Sequence, residues 1–258
     1  MLTHELASIK EFCNQYFDKI YVLTIPKAKD RQEEVKEELI GFDYEFFFGI
    51  DKKELNVNDP SIYDEQKAIQ YSRHNYAMSS GQVACSLGHR KIYEDAVQNQ
   101  YKRILIFEDD VRIRKENIVQ LISFFQEIPE NWEIVLLDYE RNEKTTIYTK
   151  AKQLFYHFQK CYGGMKFSHK MINNIYPKPF GKYSLKAGYH YFANAYALQG
   201  NALKSLIQLN TPVVFPADHV IPWYICELQA NAYIPKQKFF FQTSATNNYK
   251  NSMIFTQE

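Results

Sequence analysis

Apolar positions along the chain switch between a helical period and short continuous runs. Leu6, Ile9, Cys13, Tyr16 and Phe17 recur at helical spacing and predict an amphipathic helix lying on the body of the domain. Residues 19–25 are mostly apolar and β-branched and are closed by Pro26, which reads as a strand. Asp30 with Glu33 resembles a capped helix start, the helix running to about Leu39 before Gly41 stops it, and residues 44–48 form the next strand. Strand, helix, strand is a βαβ unit, whose right-handed crossover puts the loop after Pro26 and the one at Asp51 on one sheet edge. Residues 56–75 are polar and contain Asn58-Asp59-Pro60, an insertion with room for one short helix. Ser79 with Gln82 predicts a capping box and a helix to about Asn99, with Cys85, His89, Ile92 and Ala96 on its apolar face.

Next comes Ile104-Leu105-Ile106-Phe107, an apolar run bounded by charge and typical of a strand covered on both faces, which ends in Glu108-Asp109-Asp110. If the extended conformation persists, Glu108 and Asp110 face one way and Asp109 the other. Beyond it, residues 115–125 read as a helix, and residues 132–137 as a further strand, parallel to the first acidic one and ending in Asp138. Residues 139–189 show weak periodicity and predict irregular structure with short strands near 145–148 and 154–158, a long functional loop of the kind that shapes an acceptor site. Residues 191–198 are strand-like, Gly200-Asn201 opens a helix to about Leu209, and an extended stretch at 211–216 leads into a helix at Ala217-Asp218-His219. The aromatic run Phe239-Phe240-Phe241 and then Gln242-Thr243-Ser244 close the readable pattern. The fold class is α/β, with a mostly parallel sheet flanked by helices in one domain.

At 258 residues the chain can bury a large core, and 45% hydrophobic with 24% charged residues is ordinary for a globular protein. A formal charge of +1 offers no electrostatic case for nucleic acid as a partner. The 20 Tyr and 19 Phe are core material with a surplus that suits sugar or base platforms. Cys13, Cys85, Cys161 and Cys226 are too scattered for a zinc motif or a disulfide framework. No apolar stretch reaches membrane-spanning length, and the first residues lack signal-peptide character, so the expectation is a cytoplasmic protein, free or at the inner face of a membrane.

Ligands of open α/β sheets bind beyond the carboxyl ends of the strands, where the acid cluster stands. Glu108 and Asp110 form half a site for a hard divalent cation, Mg²⁺ or Mn²⁺, which would complete its shell with water and phosphate oxygens. The equally plain reading is that these acids are solvated turn or capping residues. The ends of the first two strands, with Thr24, Ile25, Arg31 and Asp51, face the same crevice and are candidate nucleoside contacts. His89, on an apolar helix face, reads first as a satisfied structural histidine.

Three stretches in order carry a family resemblance: residues 20–25 with Asp30-Arg31, Gly81-Gln82-Val83-Ala84-Cys85-Ser86-Leu87-Gly88-His89, and Glu108-Asp109-Asp110-Val111. Weaker matches follow at residues 133–137, at Asn194-Ala195-Tyr196-Ala197-Leu198 and at Pro216-Ala217-Asp218. Together they resemble glycosyltransferase family 25, which includes bacterial lipopolysaccharide galactosyltransferases and collagen galactosyltransferases. The chain departs from that pattern at Thr24, where the family has Asn, and at Pro26, Gly88 and Asp138.

The resemblance implies a GT-A-like fold and an inverting transfer of a sugar, galactose first, from a UDP-sugar to a glycan or lipid-linked saccharide acceptor such as lipopolysaccharide. Residues 18–138 would then bind the nucleotide and residues 139–258 the acceptor. It makes His89 and Asp109 donor-site residues, adds His219 to Glu108 and Asp110 around the metal, and makes Asp218 the catalytic base, with Asp138 as the alternative. Clustered acids at strand ends also fit a metal-dependent nucleotidyltransferase or phosphodiesterase, and a noncatalytic binding module stays open.

Overall fold

A computed structural model describes residues 2–191 and 194–243. Helix α1 (Leu2–Tyr16) is followed by β1 (Lys19–Thr24), α2 (Lys29–Glu38), β2 (Tyr44–Phe48), α3 (Glu65–Tyr71), α4 (Ser80–Gln98), β3 (Arg103–Glu108) and β4 (Val111–Ile113). After a 3₁₀ turn at Ile118–Gln120 come α5 (Leu121–Glu127), β5 (Ile134–Leu136), α6 (Ile147–Cys161), α7 (His169–Asn173), β6 (Lys178–Pro179) and β7 (Ser184–Lys186). The chain then forms β8 (Ala195–Gln199), α8 (Asn201–Leu209), α9 (Ala217–Leu228), β9 (Ala232–Pro235) and β10 (Phe240–Gln242).

Eight strands form one sheet in the order β2-β1-β3-β8-β5-β9-β7-β6, and β10 pairs separately with β4. β2, β1 and β3 are parallel neighbours, and β8 lies antiparallel between β3 and β5. β5 therefore points the same way as β3 without touching it, and β9 runs parallel beside it. Among the sheet's strands only β7 and β8 oppose the common direction. Thr24, Phe48, Glu108 and Leu136 consequently end at one edge, where β8 begins.

Alternate residues of these strands feed two cores, as the period of two requires. Tyr21, Ile104, Ile106, Ile134 and Tyr196 pack on one face against residues of α4, α8 and α9, including Ile92, Leu206 and Ile221. Ile20, Val22, Leu105, Phe107 and Val135 pack on the other face with Ile9 and Cys13 of α1, Val35 of α2 and Phe124 of α5. α4 opens on the expected capping box, in which Ser79 and Gln82 exchange bonds. It presses closely on β1 at Gly88, where an added Cβ would stand 3.0 Å from the Leu23 side chain.

Several local expectations give way to tertiary structure. Residues 145–148 and 154–158 are not strands: Thr146 caps α6 with a reciprocal Thr149 bond, and 15 residues run helically. The apolar residues there repeat at helical spacing but face outward, so the segment lacks the buried-face pattern of a core helix. α2 starts one residue before Asp30, with Ala28 in the cap position and no side-chain cap, leaving Asp30 in the first turn. The helix expected over 115–125 begins only at the 3₁₀ turn, because Asn117 bonds back to Arg114 and its amide donates to the Lys238 carbonyl. Part of the strand expected over 191–198, residues 192 and 193, and Ser244 lie outside the described residues.

Gly188 shows how tightly the segment carrying Tyr189 is held. A Cβ there would collide with the Ile175 carbonyl oxygen and the Tyr176 backbone, while Tyr189 N–H donates to that same oxygen at 2.8 Å. Gly188→Ala must move backbone rather than a side-chain tip, and about 2–4 kcal/mol of stability should be lost. Thermal unfolding checks this, since an unshifted melting temperature would mean that the segment is not locked on Ile175.

Candidate functional site

β3 delivers its acids because Ile104–Phe107 are wholly buried and fix the strand end in place. The extended conformation stops at Glu108, and Asp109-Asp110 form a turn into β4, so strict alternation does not govern the three side chains. Each acid is instead placed by a different partner.

Asp109, 6% exposed, is held on both oxygens. Thr24 Oγ1, at the end of β1, donates to Oδ2 at 2.7 Å, and Arg31 Nη1, in the first turn of α2, donates to Oδ1 at 2.9 Å. Gln32 secures this corner by donating to the Ile25 carbonyl at 2.8 Å. Burial nevertheless raises the Asp109 pKa, outweighing the opposing pull of Arg31 and of the Thr24 hydroxyl. Among the described residues, one guanidinium and one imidazole contact the three carboxylates of this turn.

Glu108 is held through a buried polar chain. His89, 1% exposed, places Nε2 3.1 Å from Glu108 Oε1 and Nδ1 2.7 Å from the Tyr196 hydroxyl, which lies 2.6 Å from that of Tyr93. With the carboxylate ionised and the imidazole neutral, one direction is consistent: Nε2–H donates to Glu108, Tyr196 donates to Nδ1, and Tyr93 donates to Tyr196. His89 thus orients an acid from within the core. Burial raises the Glu108 pKa, His89 opposes that rise, and Asp110 and Asp109 add to it.

Asp110, 3% exposed, has its Oδ1 buried with no hydrogen-bond partner. Its carbonyl accepts from the Thr243 N–H at 3.1 Å, tying the turn to the segment after β10. Close by, the Asn194 carbonyl accepts from Glu108 N–H at 2.9 Å, and the buried Asn194 side-chain amide lies against the Asp138 carboxyl group. An unmade bond at a buried polar atom costs about 1–3 kcal/mol, so the unpartnered Asp110 oxygen marks a place where something else can bind.

Asp138 follows β5 and is 4% exposed. Burial lifts its pKa from 3.8 to about 6, against the charges of Lys238 and Arg114, the Asn194 side chain beside it, and the Tyr139 N–H that donates to its Oδ1 at 3.0 Å. Asp218 lies in the first turn of α9 and does not cap it, since Pro216 occupies the cap position. Its charge and those of Glu108, Asp109 and Asp110 all bear on the half-buried Cys85, whose thiol is pushed well above its usual pKa chiefly by desolvation. His219 packs against Tyr191 at 4.9 Å between ring centres, with Nδ1 3.3 Å from the Tyr189 hydroxyl.

Asp51 forms an ion pair with Lys27 at 2.8 Å, and Gly49 N–H donates to the Thr24 carbonyl at 2.8 Å. The ends of β1 and β2 thus share the acidic edge, as the crossover argument requires. Cys85, His89 and Glu108 bring potential metal-ligating atoms within 4.8 Å of one another, a grouping the scattered cysteines did not signal. Its thiol retains its proton and its imidazole already bonds Glu108, so the unpartnered Asp110 oxygen is the better match for a hard cation. The sequence offers Asn194 and Tyr196 only as part of a family-like strand, with no role at the site, and gives no signal for Tyr93, because an amide and two tyrosines in apolar stretches carry no motif of chemistry.

A mostly co-directional α/β sheet with acids converging on its carboxyl edge defines a GT-A-like protein. The family model described as glycosyltransferase family 25 (LPS biosynthesis protein) matches residues 17–221, and the chain belongs to that family. Among curated relatives, a glycosyltransferase 25 family member of Drosophila melanogaster is 28% identical over 41% of this chain and 18% of its own length. Procollagen galactosyltransferase 2 of Homo sapiens is 23% identical over 48% of this chain and 21% of its own. A family member of Anopheles gambiae is 25% identical over 79% of this chain and 31% of its own. The chain thus spans less than a third of the length of these relatives. Among solved structures, mouse xyloside xylosyltransferase 1 in its apo form aligns with 95% of this chain and 77% of its own, at 12% identity and a TM-score of 0.34.

The raised Asp138 pKa predicts a pH-dependent stability difference. Because the folded form holds the proton more tightly, this group favours folding most below 3.8, and that contribution is lost as pH rises through about 6. Asp138→Asn should therefore melt higher than the wild type at neutral pH, by roughly 1–3 kcal/mol, with the gap closing toward acid. Melting curves of both proteins across this window test it, and a gap independent of pH would contradict it.

Proposed function

We propose that the chain is an inverting glycosyltransferase that moves a sugar, galactose first, from a UDP donor to a glycan acceptor such as lipopolysaccharide or another surface polysaccharide. The carrying observation is the unpartnered, buried Asp110 oxygen in a turn of three acids contacted, among the described residues, by one guanidinium and one imidazole. Galactose is favoured by the names of the procollagen galactosyltransferase relatives, and the polysaccharide acceptor by the description of the family.

In this reading residues 18–138 bind the donor and residues 139–258 the acceptor. Thr24, Ile25, Arg31 and Asp51 line the nucleoside side, with Asp109 fixing Thr24 and Arg31 there. Asp110 and Glu108, joined by His219, would hold a divalent Mn²⁺ or Mg²⁺, and His89 keeps Glu108 in place. A bound metal would supply positive charge against that of the departing diphosphate. The acceptor hydroxyl must lose its proton to a base on the opposite side of the sugar from the diphosphate. Asp218 is the first choice for that base, since it stands on a C-terminal element and its charge reaches both Tyr189 and Tyr191. Asp138 is the alternative, with a pKa of about 6 that suits proton acceptance near neutrality.

Asp110→Asn should abolish Mn²⁺-dependent binding of UDP-sugar while the protein melts no lower, because it removes charge repulsion from a desolvated cluster. Calorimetric titration with UDP-galactose reads this, and unchanged metal-dependent binding would sink the metal assignment. Phosphodiester cleavage of substrates lacking a sugar nucleotide would instead identify the chain as a phosphodiesterase.

The base is separated by a second pair of variants. Asp218→Asn should lower transfer on the order of a hundredfold or more with donor affinity preserved. Transfer that survives this change but fails in Asp138→Asn would move the role to Asp138.

A further inference from the structure

Helix α6 is mounted with its polar side inward. Gln153 donates to the Ile172 carbonyl, and His157 reaches His169 Nδ1 at 2.8 Å and Asn173 Oδ1 at 2.9 Å, so polar groups fasten the helix to α7. The opposite side displays Ile147, Tyr148, Leu154, Phe155, Phe158 and Tyr162, all exposed, with Ile147 at 90% and Leu154 at 71%. At the angular step of an α-helix these side chains cover an arc of about 120°. Lys150 and Lys152 flank that arc on its two sides.

Charge around the helix is equally one-sided. Residues 144–217 contain ten Lys and no Arg, Asp or Glu, in a chain whose formal charge is only +1. The rest of the chain is therefore net acidic, and positive charge is concentrated in the segment that carries the exposed apolar stripe. Among the described residues no helix is long and apolar enough to cross a membrane.

We propose that α6 is an interfacial anchor that lies flat on an anionic lipid bilayer, its apolar stripe entering the acyl boundary and its lysines meeting the headgroups. An apolar stripe edged by lysines is the pattern of a helix that binds in the membrane plane. Lysine stems lie along the apolar boundary while their ammonium groups stay in the headgroup layer. A second copy of the chain is a poor occupant, because two lysine-only surfaces would face each other. The inference is independent of the donor reading, which concerns the carboxyl edge of the sheet.

Flotation of the full chain with vesicles tests it. The wild type should float with equimolar phosphatidylcholine and phosphatidylglycerol and stay behind with phosphatidylcholine alone. The double variant Leu154→Gln, Phe158→Gln should partition more than about tenfold less, with an unchanged melting temperature because both side chains are exposed. Lys150→Gln with Lys152→Gln should weaken binding and flatten its salt dependence. Absence of wild-type flotation, or equal flotation of the Leu154→Gln, Phe158→Gln variant, would overturn the proposal. So would self-association in sedimentation that this variant abolishes without any vesicle binding, which would give the face to a second copy. UDP-sugar hydrolysis measured without vesicles, the same in every variant, reports separately on the donor site.

Discussion

Strand β3 carries four residues with no solvent exposure and runs directly into Glu108, Asp109 and Asp110, so the fold must accommodate charge that water barely reaches. Desolvation alone would neutralise such acids. The structure counters it with a hydroxyl and a guanidinium on Asp109 and an imidazole on Glu108, while leaving one oxygen of Asp110 unmatched. That incomplete compensation separates a binding edge from an ordinary buried ion pair, in which each lone pair finds a partner.

Every compensating group comes from a different element. Thr24 ends β1, Arg31 sits on α2 and His89 on α4, while the backbone of Asn194 before β8 and of Thr243 after β10 ties down the acidic turn. The common strand direction makes this convergence available, because parallel neighbours end together and antiparallel β8 begins where they end. Glycine at position 88 lets α4 come close to β1, and His89 one residue later then lies deep enough to reach Glu108. A bulkier residue at 88 would push against Leu23 and lift that histidine away from the acid.

The two sides of the sheet are closed differently from the region beyond it. Helices α1, α2 and α5 on one face, and α4, α8 and α9 on the other, bury apolar stripes in the usual way. α6 reverses this arrangement: it is fastened to α7 by polar groups, Tyr156 alone of its large apolar residues packs against the core, and none is fully buried. The acidic edge and the lysine-rich segment are thus chemically opposed regions of one chain. A phosphorylated ligand with a metal suits the first, and a negatively charged surface suits the second.

The βαβ start, the capped α4, the buried β3 and the acidic turn are legible in the amino-acid order alone, because each rests on local signals: short apolar runs, a Ser79–Gln82 capping pair, and charge after an apolar run. That order also placed Thr24, Asp51 and the acids at one edge, since crossover handedness is nearly invariant. Tertiary structure decided the rest. Residues 147–161 became a helix through the Thr146–Thr149 cap, although their apolar side faces away from any core and so escaped a reading built on buried faces. Asn194 and Tyr196 entered the site only because β8 threads antiparallel between β3 and β5, which sets the Tyr196 hydroxyl against that of Tyr93 on α4, a placement that no local pattern encodes. Periodicity reports which residues avoid water within a segment, whereas the partner each buried polar atom finds depends on which distant segment arrives beside it.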